Sequence, residues 1–278
     1  MNVQTVDYNS KTAPQQFTKS LKETGFAVLS NHPIKFNQIQ KIYTEWELFF
    51  KSNSKNDYLY DKVKQDGYFP FLSENAKNSK HKDLKEFFHI YPWGCYPKSI
   101  TESTQNLYNS LCNIAETLLS WVEKNTPKNI TDKFSLSLSE MVHNSPRNLL
   151  RIIHYPPLKG NEAPEMVRAA AHGDINLITV LVAGTQPGLQ VQDVNGNWHD
   201  VTCDPGTIAV NTGDMLQMAS NGYFPSTIHR VINPSGKIDN QSRLSMPLFL
   251  HPHDNVKLSE KYSALEYLNE RLQEIGLK

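Results

Sequence analysis

A change of hydrophobic period near Asn148 constrains this chain more than any other feature. Upstream, apolar residues recur at three- and four-residue steps: Phe36, Ile39, Tyr43, Trp46 and Phe50 form one stripe, and Leu107, Leu111, Ile114, Leu118 and Trp121 another. That spacing predicts two amphipathic helices, each burying one face. Pro14 to Glu23 reads as a shorter helix stopped by Gly25, with Phe26 to Ser30 as a strand behind it. Downstream the apolar runs shorten to 149–153, 177–182, 189–191, 208–210, 227–232 and 244–250, with turn residues between them. This is the pattern of an all-β sandwich or barrel. Asn195-Gly196 predicts a hairpin, because both residues tolerate positive φ. Pro205-Gly206 and Gly213-Asp214 mark further turns. Ser259 as N-cap and Gly276 as stop bracket a last helix carrying Tyr262, Leu265, Leu268, Leu272 and Ile275. The stretch from Ser52 to Lys82, rich in Lys, Asn and Ser and broken by Gly67 and Pro70, reads as a surface excursion bordering a pocket. The expected organisation is one domain over 1–278: a helix-rich region 1–125, a β core 145–252 and a C-terminal helix 259–276.

Composition narrows the partners. Lys plus Arg and Asp plus Glu are both 28, so no net field draws the chain to nucleic acid or an acidic membrane, and a small molecule is the expected partner. At 278 residues one core suffices without disulfides or a partner subunit, so a monomer is expected. The cysteines Cys95, Cys112 and Cys203 are odd in number and form no C-x-x-C pair. They point to a reducing cytoplasm rather than a disulfide framework or structural zinc. Residues 1–16 lack an apolar h-region, and the longest apolar run, about 178–184, is far short of the roughly 20 residues of a membrane span. Neither export by a signal peptide nor a membrane location is expected.

Chemistry concentrates in the β half. His172-Gly173-Asp174 places an imidazole and a carboxylate two residues apart, on one face of a strand, whereas on a helix they would diverge by about 200°. His229, from a neighbouring strand, can complete a facial triad. Two imidazoles and one carboxylate leave open positions on Fe(II), where a co-substrate and O2 can bind. With 10 His and 13 Asp in the chain, a chance His-x-Asp is expected roughly 0.5 times, and His81-Lys82-Asp83 is a second copy. That copy lies in a charged segment outside the β region and reads as coincidence. Arg243-Leu244-Ser245 opens the last apolar run, and alternation puts Arg243 and Ser245 on the face opposite Leu244, Met246 and Leu248. A guanidinium and a hydroxyl aimed into a barrel make a carboxylate clamp.

Taken in order, His172-x-Asp174, His229 and Arg243-x-Ser245 resemble the Fe(II)/2-oxoglutarate-dependent oxygenases of the isopenicillin N synthase-like family. The resemblance extends over nearly the whole chain, through Thr24-Gly25-Phe26-Ala27-Val28, Asn31-His32-Pro33, the segment 172–181, Asn211-Thr212-Gly213-Asp214-Met215-Leu216 and Ser226-Thr227-Ile228-His229-Arg230-Val231. It implies a mainly β protein with a helical N-terminal layer, the core being a double-stranded β-helix (jelly roll). It also implies iron held by His172, Asp174 and His229. The C1 carboxylate and keto oxygen of 2-oxoglutarate would chelate that iron, and its far carboxylate would meet Arg243 and Ser245. Oxidative decarboxylation to succinate and CO2 would then drive hydroxylation or desaturation of a small molecule. The Asn-x-Tyr-Pro stretch usual in plant members of the family, whose Asn and Tyr touch the co-substrate, corresponds to Ile153-His154-Tyr155-Pro156, so Tyr155 matches and Ile153 does not. The interval from His229 to Arg243, through Pro234-Ser235-Gly236, runs longer than is common in the family.

Alternatives stand beside that reading. Isopenicillin N synthase uses the same Arg-x-Ser pair for its tripeptide substrate and needs no 2-oxoglutarate. A zinc hydrolase could use His, Asp and His, and a non-catalytic β-barrel could merely bind a ligand. No phosphate-binding or nucleophile-elbow motif occurs. His251-Pro252-His253 is a weaker ligand pair, and His154 and His199 read as core or loop histidines. Cys112 reads as an apolar filler. Asp83 to His89 resembles a family segment near the substrate, but its charges read as a solvated face. Tyr91, Pro92 and Trp93 read as core.

Overall fold

The computed structural model describes residues 1–74, 81–202, 204–235 and 240–274. In chain order its first elements are β1 (Thr5–Asp7), α1 (Ala13–Thr24), β2 (Phe26–Ser30), α2 (Phe36–Lys51), β3 (Gly67–Phe69), β4 (Glu86–Ile90), α3 (Ser103–Lys124), α4 (Lys128–Thr131) and α5 (Leu138–Val142). There follow β5 (Leu149–Tyr155), β6 (Ala169–His172), β7 (Ile178–Val182), β8 (Leu189–Gln192), β9 (Trp198–Asp200) and β10 (Ile208–Thr212). The last elements are α6 (Asp214–Ala219), β11 (His229–Val231), β12 (Arg243–Leu250) and α7 (Ala264–Glu274). Gly25 closes α1 at φ 71°, a conformation that Cβ disfavours. Asn195-Gly196 joins β8 to β9, with Gly196 at φ 85°.

The strands form two sheets. Eight strands run β1-β2-β10-β7-β12-β5-β4-β3, and four run β6-β11-β8-β9. Strand alternation gives the large sheet two differently covered faces. Ala27, Leu29, Leu150, Ile152, Ile208, Val210, Leu244, Met246 and Leu248 point to one side. There they pack with Phe17 and Leu21 of α1, Ile39 and Trp46 of α2 and Leu107 and Leu111 of α3. The interleaved Phe26, Val28, Ile153, Tyr155 and Ala209 point to the other side and meet Ala169, Leu189, Val191 and Val231 of the small sheet. Arg243 pairs with Tyr155, and Ser245 with Ile153, in the β12–β5 register. Both therefore face the space between the sheets.

Several expectations are corrected. The helix-rich region 1–125 also supplies β1 to β4, half of the large sheet. The excursion 52–82 contains a 3-10 turn, Asn53–Tyr58, and the buried strand β3, which pairs with β4. The 83–89 segment is not solvated: Asp83, Lys85, Glu86 and His89 are all buried. Compensation makes that possible. Lys85 Nζ lies 2.8 Å from both Asp83 and Glu74, and Glu86 takes hydrogen bonds from Lys55, Tyr68 and His154. Trp93 is 45% exposed and stacks on Tyr91 at the surface, and Phe36 is 43% exposed at the start of α2. Gly213-Asp214 opens α6 instead of a simple turn. The last helix begins five residues later than Ser259, and the reciprocal bonds of Ser263 and Glu266 cap it. Ser259 instead accepts from Lys261 and Tyr262 in the preceding loop. Ile275, Gly276, Cys203 and Gly236 lie outside the described residues.

Candidate active site

His172 ends β6 and faces His229, the first residue of β11, across the antiparallel register; their ring centroids are 4.4 Å apart. Asp174 is not on the strand with His172, as alternation alone would have it. The strand ends at His172, and the stretch leading into β7 brings the carboxylate in, its backbone carbonyl accepting from the Asp214 N–H at 2.8 Å. Asp174 Oδ1 lies 3.9 Å from His172 Nε2 and 3.8 Å from His229 Nε2. Among the described residues these three are the group of potential metal ligands that converges, all within 4.8 Å of one another.

Hydrogen bonding aims the lone pairs at that point. Nδ1 of His172 lies 2.7 Å from the Ala170 carbonyl, and Nδ1 of His229 lies 3.2 Å from that of Thr227. A carbonyl only accepts, so each Nδ1 carries the hydrogen and each Nε2 presents a lone pair. Asp174 Oδ2 accepts from Thr179 Oγ1 at 2.5 Å and Asn211 Nδ2 at 2.7 Å, which leaves Oδ1 uncommitted. Three electron-pair donors facing one point are mutually repulsive until a cation joins them, and two nitrogens with one oxygen suit a divalent transition metal. Burial, and after it His229, push His172 down to about 4 although 35% of its side chain is exposed. Its imidazole is therefore neutral and ready to ligate near neutral pH. Burial opposes ionisation of Asp174, yet the charge that His229 and His172 carry when protonated, together with the hydrogen bonds from Thr179 and Asn211, outweighs it and holds the carboxyl below its ordinary range.

Arg243 is 2% exposed. Its Nε donates to the Gln186 carbonyl at 2.9 Å, and its guanidinium carbon sits 5.2 Å from the centroid of the Tyr155 ring. Its Nη1 is buried with no partner, an orphaned cationic donor of the kind an anion satisfies. Gly184 makes room for the fork: a Cβ there would lie 2.7 Å from Arg243 Nη2 and 2.9 Å from its Cζ.

Comparison with known proteins decides what this arrangement belongs to. Residues 146–252 match the 2OG-Fe(II) oxygenase superfamily, and residues 4–110 match the N-terminal region described as non-haem dioxygenase in morphine synthesis. A crystal structure of a proposed oxygenase from Shewanella oneidensis is 50% identical, covers 100% of both chains and superposes with a TM-score of 0.90. The chain belongs to the 2OG-Fe(II) oxygenase superfamily. Among curated relatives, gibberellin 2-beta-dioxygenase 3 of Arabidopsis thaliana is 27% identical over 95% of this chain and 78% of its own. Isopenicillin N synthase of Amycolatopsis lactamdurans is 26% identical over 85% and 78%. The fold is the double-stranded β-helix of this superfamily, and the protein is an oxidoreductase that uses Fe(II), 2-oxoglutarate and O2 on a small molecule.

Within this oxygenase, other residues singled out in the sequence lie elsewhere. Asp83 takes no part in the triad, but its carboxylate accepts the Ala170 N–H at 3.0 Å and so braces β6. His154 bonds Glu86 and Ser242, His199 bonds Asp193, and His253 bonds the His143 carbonyl. His251 joins none of the convergent ligands. Thr179 and Asn211, which hold Asp174, lie in the family-like stretches 172–181 and 211–216. Their signal is a polar residue following apolar ones within a buried strand, and it gains a meaning only when β7 and β10 pair Asn211 with Thr179. No helix among the described residues is long and apolar enough to cross a membrane.

Proposed function

We propose that His172, Asp174 and His229 hold the Fe(II), and that Arg243 and Ser245 hold the far carboxylate of 2-oxoglutarate against Tyr155. On this reading the enzyme hydroxylates or desaturates a small molecule with release of succinate and CO2. The observation that carries the assignment is the buried, unpartnered Nη1 of Arg243 on the inter-sheet wall that also bears the triad's supports. Bound iron would supply O2 activation coupled to decarboxylation of the 2-oxo acid. The chain's own part is to aim the Nε2 atoms of His172 and His229, to fix the Asp174 carboxylate through Thr179 and Asn211, and to keep water out with Phe26, Ile153 and Val191. Membership of the isopenicillin N synthase-like branch, action as a monomer folded as one unit over 1–278, and residence in a reducing cytoplasm suited to free Cys95 and Cys112 complete the reading.

The test loads anaerobically purified protein with Fe(II) and supplies O2, 2-oxoglutarate and a panel of metabolites, following succinate and product mass. Gain of one oxygen marks hydroxylation, and loss of two hydrogens marks desaturation. Asp174→Ala should lower iron content and remove succinate formation. Undiminished succinate in that variant would overturn the triad, and turnover without 2-oxoglutarate would favour the cyclising chemistry of isopenicillin N synthase.

A further inference from the structure

Arg168 stands directly before β6 and is 1% exposed, among the largest fully buried side chains of the protein. Its Nη2 donates to the Gln241 carbonyl at 2.7 Å, while its Nε is buried without a partner. Its guanidinium carbon lies 6.0 Å from the centroid of the Tyr155 ring, the ring that Arg243 approaches to 5.2 Å. The ion-paired arginines among the described residues are Arg147, Arg151 and Arg271; Arg168 and Arg243 are not among them. Two guanidiniums thus lie beside one tyrosine ring, each tied to a backbone carbonyl and each with a buried N–H unclaimed. Like charges buried together without an anion are costly. Burial, and then the Arg243 charge, lower the Arg168 guanidinium to about 10. One carboxylate offers about four lone-pair sites, enough for both forks.

We propose that Arg168 is a second arginine of the co-substrate pocket, sharing with Arg243 the far carboxylate of 2-oxoglutarate and selecting it over 2-oxo acids that lack this group. The proposal rests on the reading that Arg243 holds that carboxylate. Arg168 is here a specificity residue, distinct from a prop for the Gln241 carbonyl, because a prop would not distinguish ligands that differ only at the far end.

The experiment titrates Fe(II)-loaded protein without O2, following the visible charge-transfer absorption of the iron–2-oxo acid chelate. One ligand is 2-oxoglutarate, and the other is 2-oxobutanoate, which chelates identically but ends in a methyl group. Arg168→Gln should weaken 2-oxoglutarate about tenfold or more while leaving 2-oxobutanoate within about twofold, with iron content unchanged. Arg168→Lys should fall between, since it restores a point charge without the fork. Equal weakening of both ligands, or none of either, overturns the proposal. Arg243→Gln runs in parallel: if it also spares 2-oxoglutarate, the assignment of Arg243 fails, and if only Arg168→Gln spares it, Arg168 alone is excluded. Should Arg168→Gln not fold, an unchanged ligand ratio in Arg168→Lys overturns the proposal.

Discussion

The two oxygens of Asp174 differ in what they face: Oδ2 is held by Thr179 and Asn211, and Oδ1 looks toward two imidazole nitrogens. The same division of labour holds for Arg243, whose Nε is anchored while its Nη1 is free. Replacing Arg243 by Gln should raise the KM for 2-oxoglutarate roughly a hundredfold or more, since a charge-assisted bond is lost and the anion is left unpaired. Gly184→Ala should act on the same constant more mildly, about tenfold, because its methyl displaces the guanidinium without removing it. Iron content should be unchanged in both. Steady-state kinetics with varied 2-oxoglutarate checks this, and an unaltered KM in both variants would refute the pocket. The His-x-Asp and Arg-x-Ser spacings were legible because each is local. Gly184 and Arg168 were not, because their neighbours come from distant segments.

At the scale of elements, the strands that carry the site are held by groups that look superficial in the sequence. The charged 83–89 segment resembles a solvated face until β4 is found between β3 and β5, where Lys85 is closed in by Asp83 and Glu74. Asp83 then spends its other oxygen on Ala170 of β6, two residues from His172. Asp83→Ala should destabilise the fold by about 3 kcal/mol, as removal of one member of a buried ion cluster does, and should weaken iron binding by loosening β6. Ser263→Ala, which removes the α7 cap, should cost about 1 kcal/mol and leave iron affinity alone. Urea unfolding with a parallel iron titration separates the two. An Asp83→Ala protein as stable and as iron-tight as the parent would contradict this account of β6.

For the whole molecule, iron and protons should act in opposite directions. A metal joining His172, Asp174 and His229 binds only the folded chain, so at a hundred times its Kd it should add about 2.7 kcal/mol of stability. Burial lowers the imidazoles of His32, His89 and His251, the last to about 4, and His172 shares that direction. Between about pH 6.5, where an unfolded histidine titrates, and about pH 4, the unfolded chain therefore binds more protons than the folded one. Stability contributed by these neutral histidines is complete above that window and is lost as pH falls through it. Urea midpoints of metal-free protein should be lower near pH 5 than near pH 7.5, and a midpoint that rises on acidification would contradict the buried, neutral state of these rings.

By itself the sequence determined the change from helical to strand period near Asn148, the choice of His172, Asp174 and His229 as the residues that converge, and the alternation that sends Arg243 and Ser245 away from Leu244 and Met246. The period, the His172–Asp174 spacing and the Arg243–Ser245 alternation relate residues a few positions apart through backbone geometry, whereas His229, 55 positions beyond Asp174, joined them through the order of motifs that resembles a known family. Tertiary structure alone decided that half of the large sheet comes from the N-terminal region, that the 83–89 charges are buried, and that Thr179, Asn211, Gly184 and Arg168 surround the site. Burial of a charge depends on whether its counter-charge arrives from elsewhere in the chain. The space a glycine leaves matters only once a side chain from another strand fills it.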